Sequence, residues 1–415
     1  MPWPCKCRTR PDRNTHPCHW QQSLCSTADI TASWIVLLLV SAPAHAATSS
    51  ERDRSPLHWR LKEKGTHMSV SDDDRTTALV LSGGVALGSY QAGVYEALAD
   101  ASQLSPGWIA GSSVGALNGA LIAGTPVDKR FEVLRSYWLR GPESVNALSF
   151  WATRHALNWV SAVQSRLFGA LGHIQTVGPR LKFSGLYDLA PTVAFLKKTI
   201  DFGRLNSGDL RFTVATTDIE SGDAVIFDTG KGDRIEIDHI LASCGFLPEF
   251  APVEIGGRLL GDGGLSMNAP VEPVLDELAG TEGTLIVADL FARDGARPVG
   301  LQDALARKNA ILFGNQTWYR LEAYRRLWQR DLAEGRHTPA ILYLSYLPVS
   351  GEAGPEAPYD FSLASARDRW AEGFLDGRQA VAQVARGEVA AGATLAIRRS
   401  KPPTDAERRP TTMAA

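Results

Sequence analysis

The chain has 415 residues, of which 44% are hydrophobic and 21% are charged, with a formal net charge of −2 at pH 7. This length and apolar content suffice for a globular enzyme with a full core. The nearly balanced charge excludes the basic composition that is typical of nucleic-acid-binding proteins, so nucleic acid is not expected as a partner.

The first 70 residues are predicted to be a leader, which is either signal-like or untranslated and disordered. Four of the five cysteines lie in this segment: Cys5, Cys7, Cys18 and Cys25. Their spacing fits no standard zinc finger, so no metal site is predicted. An apolar run over residues 34–40, followed by Ala-His-Ala at residues 44–46, is typical of a secretory signal peptide and predicts export. A start at Met68 predicts instead a cytoplasmic or peripheral membrane protein.

A glycine-rich turn is predicted at residues 83–88, between an apolar strand over residues 77–82 and a helix over residues 89–100. Ser89 is expected to cap that helix. The turn lacks the Lys of a P-loop, and Val85 stands where a dinucleotide-binding fingerprint needs glycine. The N–H groups of such a turn are suited to an oxyanion hole, and a packing turn without function is the alternative.

The Gly-Ser-Ser-Val-Gly sequence at residues 111–115 lies between a predicted strand over residues 108–111 and a predicted helix over residues 114–123. This is the G-x-S-x-G pattern of a nucleophile elbow, a sharp turn that presents a serine hydroxyl above an α/β sheet. Ser113 is therefore the candidate nucleophile for acyl transfer through an acyl-serine. A strand-turn-helix without catalytic function is the alternative.

An amphipathic helix is predicted over residues 150–171 from apolar side chains at helical spacing. It is expected to pack on the core, and a cap over the active site or contact with a membrane interface are the alternatives. Further strands are predicted over residues 210–216, 224–227 and 284–290.

A second candidate for chemistry is Asp262, which follows strand-like residues 258–260 and lies among glycines in the sequence Gly-Asp-Gly-Gly. Its functional interpretation is a general base that takes the serine proton, and an Asx-type turn is the alternative. Because an aspartate with an ordinary pKa of ~3.9 is a weak base, we expect burial to raise the pKa of Asp262.

A Ser-His-Asp triad is the rival mechanism. Four histidines lie within the predicted fold: His155, His173, His239 and His337. None of them lies in a short motif typical of a triad, and His239 is expected at the end of a helix. Cys244, the cysteine of the predicted enzyme region, is expected to be a small buried residue.

The glycine-rich turn, the G-x-S-x-G pentapeptide and the D-G-G sequence, in this chain order, resemble the patatin-like phospholipase family. The resemblance covers about residues 76–290. It continues in residues 309–316 and 359–370, which are similar to a bacterial subgroup with an additional C-terminal region of unknown function. It implies a catalytic dyad of Ser113 and Asp262 with no histidine, cofactor or metal.

The same resemblance implies an oxyanion hole formed by Gly83, Gly84 and Val85. The other glycines that it carries over are Gly88, Gly111, Gly115, Gly263 and Gly264. Two positions depart from the family pattern, which usually has a third glycine where Val85 stands and Arg or Lys where Leu87 stands. A β-branched side chain restricts φ and can misaim the Val85 N–H, and the missing basic residue removes a contact to an anionic head group.

Alternation of strands and helices predicts an α/β fold, specifically a three-layer α/β/α patatin-like fold with a largely parallel central sheet. A mostly helical C-terminal extension is expected, with a helix over residues 304–332, a strand over 341–347, a loop over 351–358 and a helix over 364–385. The predicted organisation is a leader over residues 1–70, an acyl hydrolase domain over 76–292, the extension over 300–396 and a disordered tail over 397–415.

The expected function is that of a serine carboxylic-ester hydrolase acting on lipids, such as a phospholipase A or esterase. A thioesterase or short-chain esterase with the same dyad is one alternative, and a degraded lipid-binding protein without catalysis is the other. The expected partner is a lipid or acyl-ester substrate, with peripheral membrane contact as a further expectation. The sequence leaves the protein partners unknown.

Overall fold

The computed structural model describes residues 77–101, 104–140, 169–170, 173–175, 185–347, 354–390, 392 and 394–397. The chain divides into two units, Met1–Ser69 and Val70–Ala415, and every described residue belongs to the second unit. The predicted leader lies outside the described residues, and so does the predicted tail over residues 397–415, except for Ile397, which ends a strand. So does most of the predicted amphipathic helix at residues 150–171, of which residues 169–170 are described as a strand.

The α-helices of the described residues have the following bounds: α1 (Ser89–Ala99), α2 (Val114–Ala123), α3 (Arg130–Trp138), α4 (Ala190–Thr199), α5 (Phe202–Leu205), α6 (Ile237–Ser243), α7 (Glu272–Leu278), α8 (Leu301–Ala333) and α9 (Leu363–Ala385). The strands are β1 (Thr77–Leu81), β2 (Trp108–Ser112), β3 (Gly169–Ala170), β4 (His173–Gln175), β5 (Tyr187–Asp188), β6 (Arg211–Asp218), β7 (Ala224–Asp228), β8 (Val253–Ile255), β9 (Arg258–Asp262), β10 (Thr284–Asp289), β11 (Ala340–Ser345) and β12 (Thr394–Ile397). Three short 3₁₀ helices contribute to the site: Val85–Gly88, Gly263–Leu265 and Gly354–Tyr359.

The central sheet is largely parallel, as expected. Strands β12, β11, β10, β1, β2 and β6 pair in that order, and all of these pairings are parallel. Strands β7 and β9 pair antiparallel with β6, and β8 pairs antiparallel with β9. The short strands β3, β4 and β5 form a separate antiparallel sheet.

Side chains that alternate along the central strands feed two apolar cores. In β1, Leu79 and Leu81 belong to one core, together with residues of α1, α2 and α9. Ala78 and Val80 belong to the other, together with residues of α7 and α8. Because successive side chains of a strand point to opposite faces, helices cover both faces of the sheet. This is the expected three-layer α/β/α arrangement.

The C-terminal region contributes to the same sheet as well as to its helical layers. Helices α8 and α9 have 33 and 23 residues. Strands β11 and β12 extend the sheet beyond β10 in parallel register. The segment predicted as a loop contains the 3₁₀ helix Gly354–Tyr359.

The predicted elements within the described residues lie where the sequence indicates, with ends that differ by a few residues. The prediction for Ser89 was wrong. Gly88 occupies the N-cap position, and Ser89 is the first residue of α1. Its hydroxyl donates a hydrogen bond of 3.4 Å to the carbonyl of Ala86, because the 3₁₀ helix Val85–Gly88 runs directly into α1.

Strand β6 brings the ends of β2 and β9 together. Strand β2 pairs with the first half of β6, so that Ser112 lies opposite Ala215. Strand β9 pairs with the residues that follow, and Asp262 lies opposite Thr216. Because β7 occupies the other edge of β6, the C-terminal ends of β2 and β9 meet along one edge.

Candidate active site

Ser113 lies at a sharp turn between β2 and α2. Its backbone has φ 55° and ψ −125°, a conformation that residues with a side chain rarely adopt. Helix α2 begins at the next residue, Val114, so that the amides of its first turn lie beside the serine. Ser113 is 8% exposed and lines a cavity. The turn therefore has the geometry typical of a nucleophile elbow.

The glycines that flank Ser113 are required by close backbone contacts. A Cβ at Gly111 would lie 2.4 Å from the carbonyl carbon of Gly115, and a Cβ at Gly115 would lie 2.1 Å from the carbonyl oxygen of Leu81. At Gly88, which ends the glycine-rich turn, a Cβ would lie 2.5 Å from Cγ2 of Val114. These distances are far inside van der Waals contact, so α2 approaches β1 and β2 only through glycine.

The backbone of Ser113 is held by Ser243 at the end of α6. The N–H of Ser113 donates a hydrogen bond of 2.8 Å to Oγ of Ser243. The hydroxyl of Ser243 in turn donates a bond of 2.7 Å to the carbonyl of Ala215. Ser243 was not predicted as a site residue from the sequence, although its segment, residues 242–248, resembles the patatin-like family. A buried serine beside glycine and cysteine carries no signal of its own.

Asp262 ends β9 and is 2% exposed. Its Oδ1 accepts a hydrogen bond of 2.6 Å from the N–H of Gly264. Burial raises the pKa of Asp262 from 3.8 to about 7, and hydrogen bonding from the Ser113 side chain and the Gly264 amide offsets part of that rise. The direction of the shift is the expected one, because desolvation disfavours the charged form of a carboxyl group.

Glycines let the two strand ends approach each other. A Cβ at Gly263 would lie 2.4 Å from the carbonyl oxygen of Ala215 and 2.5 Å from Oγ of Ser112. A Cβ at Gly264 would lie 2.9 Å from Oδ1 of Asp262. The glycines of the D-G-G sequence therefore allow β9 to lie close to the elbow. They also form the turn whose Gly264 N–H donates a hydrogen bond to the Asp262 carboxylate.

The glycine-rich turn lines the same cavity as this carboxylate. The N–H of Gly83 is already engaged, because it donates a hydrogen bond of 3.0 Å to the carbonyl of Asn268. The N–H groups of Gly84 and Val85 donate to no acceptor among the described residues, and both residues line the cavity. The candidate donors of an oxyanion hole are therefore Gly84 and Val85, and Gly83 instead anchors the turn.

Val85 has a backbone conformation that favours glycine. Its φ is 51°, which is an outlier for a β-branched residue and carries a cost of about 1–3 kcal/mol. This conformation fits the glycine that the resemblance leads us to expect at this position. Leu87, the second departure, is 4% exposed and belongs to the apolar core with α1 and α2.

Helix α8 supports the loop that follows Asp262. Oε1 of Gln316 accepts a hydrogen bond of 3.1 Å from the N–H of Asn268. Arg320, one turn further along α8, donates a bond of 3.0 Å to the carbonyl of Ser266. The C-terminal region thus contacts both the D-G-G loop and, through Asn268, the glycine-rich turn.

The candidate residues line one cavity of about 500 Å³, within the range of small-molecule sites. Its walls are largely apolar and aromatic, and three regions of the chain supply them. Residues near the elbow and α4 include Leu117, Tyr137, Trp138, Leu189 and Leu196; the segment after α6 supplies Cys244, Phe246 and Phe250; the C-terminal region supplies Leu305, Leu312, Phe313, Tyr359 and Phe361. Cys244 is half-buried rather than fully buried, and burial raises the pKa of its thiol.

Among the described residues that line this cavity there is no histidine. His239 is the third residue of α6, where its Nδ1 accepts a hydrogen bond of 3.0 Å from the N–H of Glu236. The expectation that His239 lies at a helix end is thereby confirmed. His337 pairs with Glu282 at 2.9 Å. The side chains of His155 and His173 lie outside the described residues.

No group of three or more His, Cys, Asp or Glu side chains suited to a metal ion occurs in the part of the chain that the structure describes. In that same part, every helix is too short or too polar to span a bilayer.

The fold and the site define an α/β protein with a serine at a strand–helix elbow beside a buried aspartate. A family model described as patatin-like phospholipase matches residues 79–275, which include all of the candidate site residues. The chain therefore carries a patatin-like phospholipase domain. This match over residues 79–275 supports a lipid hydrolase.

Solved structures that are similar to this chain at low identity include the following two. The crystal structure of VipD from Legionella pneumophila matches at 12% identity with a TM-score of 0.35, over 75% of this chain and 67% of that one. The type III effector protein ExoU matches at 14% identity with a TM-score of 0.23, over 71% of this chain and 54% of that one. No curated protein matches the chain.

Proposed function

We propose that this chain is a serine acyl hydrolase that cleaves carboxylic esters of lipids, with Ser113 as nucleophile and Asp262 as general base. The observation that carries the proposal is the juxtaposition of a strained elbow serine and a buried carboxyl group on the wall of an apolar cavity. Strained backbone of this kind is concentrated at functional sites.

The raised pKa of Asp262 supports its role as the base. An aspartate with an ordinary pKa accepts a proton from serine poorly, whereas a pKa of about 7 is matched to general base catalysis near neutral pH. The interaction between the Ser113 side chain and the Asp262 carboxyl group supports direct transfer of the proton. A histidine is not needed in this scheme.

The proposed reaction has two steps. In the first step, Oγ of Ser113 attacks the ester carbonyl carbon while Asp262 takes the hydroxyl proton. The N–H groups of Gly84 and Val85 donate to the oxyanion, the bond to the alcohol oxygen breaks, and Asp262 returns its proton to the leaving alcohol. In the second step, water that Asp262 deprotonates attacks the acyl-serine, and a fatty acid is released as Ser113 regains its proton.

The apolar lining of the cavity favours binding of a long acyl group over a short one. Its walls combine aliphatic and aromatic side chains from α2, α4, α8 and the 3₁₀ helix Gly354–Tyr359. Burying an acyl chain against them gains about 0.8 kcal/mol for each methylene group. Short-chain esters would use the same dyad but would fill less of this space, and thioesters would also use the same dyad.

Hydrolysis assays with matched variants test the proposal. The substrates are p-nitrophenyl esters of increasing acyl length, acyl thioesters and mixed phospholipid vesicles. Ser113→Ala should abolish turnover of every substrate that the native protein cleaves. Ser112→Ala is the matched control, because the adjacent Ser112 hydroxyl is buried and has no hydrogen-bond partner among the described residues. Turnover by Ser113→Ala that equals the native rate would exclude the proposed nucleophile.

The preferred substrate then separates the related candidates. Faster turnover of long-chain esters and phospholipids supports the lipid hydrolase, and faster turnover of thioesters or short-chain esters replaces it with the alternative. Lipid binding without turnover in the native protein would favour a degraded hydrolase that only binds lipid.

We also propose that the cavity opens onto a lipid surface. Two exposed leucines of α8 line the cavity, since Leu305 is 38% exposed and Leu312 is 55% exposed. Leu301, one turn before Leu305 on the same helix, is 74% exposed. Apolar side chains at the entrance would contact the acyl region of a bilayer. Leu312→Asp should reduce co-sedimentation with phospholipid vesicles. Leu327→Asp is the control, since Leu327 is 57% exposed on the same helix but does not line the cavity.

A further inference from the structure

Helix α9 of the C-terminal region packs directly against α1, the helix that follows the glycine-rich turn. A Cβ at Gly93 would lie 2.0 Å from the carbonyl oxygen of Trp370, and a Cβ at Gly373 would lie 1.9 Å from the carbonyl oxygen of Tyr90. The two backbones are therefore in contact. This contact fixes the position of α9 relative to the turn that precedes α1.

A cationic side chain is buried between α9 and that turn. Arg369 is 0% exposed. Its guanidinium group donates hydrogen bonds of 2.8 Å to the carbonyl of Asp360 and 2.9 Å to the carbonyl of Ala357, which lie in the segment that leads into α9. A third bond, of 3.1 Å, reaches the carbonyl of Ala86 in the 3₁₀ helix Val85–Gly88. Burial of a cation is costly, and is tolerated only where its donors are satisfied.

The bond to Ala86 controls the direction of a neighbouring amide. The carbonyl of Ala86 and the N–H of Leu87 belong to one planar peptide group, so Arg369 fixes the orientation of both. The N–H of Leu87 donates a bond of 3.1 Å to the carbonyl of Gly84. The carbonyl of Gly84 and the N–H of Val85 belong in turn to one planar group. The direction of the Val85 N–H is thus tied to Arg369 through two peptide planes.

Val85 needs this restraint because its φ of 51° is unfavourable for a β-branched residue. Without it, the side chain of Val85 would favour rotation of the backbone toward negative φ, and the N–H would turn with it. Other polar side chains hold the ends of the turn: Gln91 donates to the carbonyl of Ser82 at 2.8 Å, and Asn118 donates to the carbonyl of Gly88 at 2.9 Å. Arg369 holds the middle.

We propose that Arg369 is a positioning residue that aims the Val85 N–H at the oxyanion, and that this is a function of the C-terminal region. The proposal rests on the proposed acyl hydrolase function. Arg369 itself does not contact the substrate. It compensates for valine at position 85, where the patatin-like family pattern usually has glycine.

Arg369→Lys is the first test, because lysine keeps the positive charge but cannot present donors in the fixed planar fork of arginine. Loss of one oxyanion donor lowers kcat by about 100-fold to 1,000-fold, so a misdirected donor should lower kcat by about 10-fold to 100-fold. KM should change little. A trifluoromethyl ketone with a long alkyl chain, which forms an oxyanion on serine, should bind more weakly by a similar factor. The corresponding alkyl ether, which forms none, should bind unchanged.

Tyr90→Phe is the matched control for packing. It removes the hydrogen bond of 2.8 Å from the Tyr90 hydroxyl to Asp376, a bond that joins the same two helices without using the carbonyl of Ala86. It should lower the thermal midpoint without changing the ratio of ketone to ether affinity. If Arg369 only stabilised the packing, Arg369→Lys would likewise lower the thermal midpoint without changing the ratio of ketone to ether affinity.

Val85→Gly tests whether the backbone preference of valine is the reason that Arg369 is needed. In the Arg369→Lys background, glycine removes the preference for negative φ, so kcat and ketone affinity should recover at least in part. If Arg369→Lys leaves kcat and ketone affinity unchanged, or if Val85→Gly does not restore them, the proposal is overturned.

The same measurements distinguish a failure of the role proposed for Arg369 from a failure of the proposed acyl hydrolase function. Absence of turnover and of ketone binding in the native protein would remove the acyl hydrolase itself. Native turnover with an unaffected Arg369→Lys would remove only the role of Arg369. If Arg369→Lys does not fold, Arg369→Gln, which retains a donor without the charge, replaces it. Loss of folding in both variants would make Arg369 a stability residue and would contradict the proposal.

Discussion

The backbone amide of Ser113 donates its hydrogen bond to the hydroxyl of Ser243, a residue 130 positions later in the chain. The same hydroxyl donates to the carbonyl of Ala215 on β6. Ser243→Ala would therefore leave two buried backbone groups without a partner, at a cost of about 1–3 kcal/mol. We expect a lower unfolding free energy in urea and a lower kcat, because the strained turn at Ser113 loses its restraint.

Ser136→Ala is the control for this prediction. The Ser136 hydroxyl, at an exposed position on α3, donates a hydrogen bond of 2.8 Å to the carbonyl of Val133. Its removal should change neither stability nor kcat appreciably. Equal effects of the two substitutions would contradict the role assigned to Ser243.

Gly115→Ala is expected to prevent correct folding of the elbow. The added Cβ would lie 2.1 Å from the carbonyl oxygen of Leu81, so α2 would have to move away from β1. Gly107→Ala is the matched control, because a Cβ at Gly107 meets no atom within 4 Å. Circular dichroism and thermal unfolding should show a native-like Gly107→Ala and a strongly destabilised Gly115→Ala. A stable, active Gly115→Ala would contradict the close packing described here.

The raised pKa of Asp262 predicts a pH dependence of activity. Because the base must be deprotonated, kcat/KM should rise with pH and level off above about pH 7, with a slope close to one decade per unit at lower pH. The measurement is a pH-rate profile with a long-chain p-nitrophenyl ester. A plateau that extends down to about pH 5 would contradict the shift, because an aspartate with its ordinary pKa is already ionised there.

The same shift predicts a pH dependence of stability. The folded-state pKa of Asp262, about 7, lies above its ordinary value of 3.8, so the neutral form is favoured by folding. Its contribution to stability is fully present below the ordinary pKa and is lost as the pH rises through 7. Asp262→Asn remains neutral and avoids this loss.

The unfolding free energy of Asp262→Asn, relative to the native protein, should therefore increase by about 2.5 kcal/mol between about pH 5 and about pH 8. Urea unfolding at the two pH values measures it. A difference that does not change with pH would indicate that Asp262 titrates as an ordinary surface carboxyl group.

Leu196 offers a test of the acyl-chain cavity. It is fully buried on α4 and lines the cavity. Leu196→Phe adds volume that the packed core cannot accept, so the ring should extend into the cavity and shift the preferred ester to a shorter acyl chain. Leu196→Met, which conserves volume, is the control and should keep the native preference. An unchanged chain-length profile in Leu196→Phe would show that the acyl chain binds elsewhere.

The local features of the site could be predicted from the sequence because each depends on a few adjacent residues. An apolar strand followed by glycine and a small-residue helix defines the elbow around Ser113. A similar strand and glycine combination defines the turn at Gly84. The N-cap expected at Ser89 was wrong for a comparable local reason, since the pattern does not reveal that a 3₁₀ helix continues into α1.

The meeting of Ser113 with Asp262 depends on pairing that the sequence does not specify. The pattern indicates that Asp262 follows a strand, but not that this strand runs antiparallel to β6. The end of β9 meets the end of β2 only because both occupy one edge of β6, at adjacent residues. Such register is fixed by long-range packing and not by local propensity.

Ser243 and Arg369 were missed because their partners lie far away in the sequence. Arg369 did carry one detectable signal. It lies four residues after Ser365 and four before Gly373, on the buried face of α9. A charged residue on such a face indicates a specific buried partner, although the sequence does not indicate that the partner is the carbonyl of Ala86.

The most direct test of the account is covalent labelling with a long-chain alkyl fluorophosphonate, followed by peptide mapping with mass spectrometry. We expect one adduct, on Ser113, that is absent in Ser113→Ala and retained in Ser112→Ala. Labelling should be much slower in Asp262→Asn, since the serine then lacks its base. No adduct in the folded native protein, or an adduct on Ser112 or another residue, would contradict the assignment of Ser113 as the nucleophile.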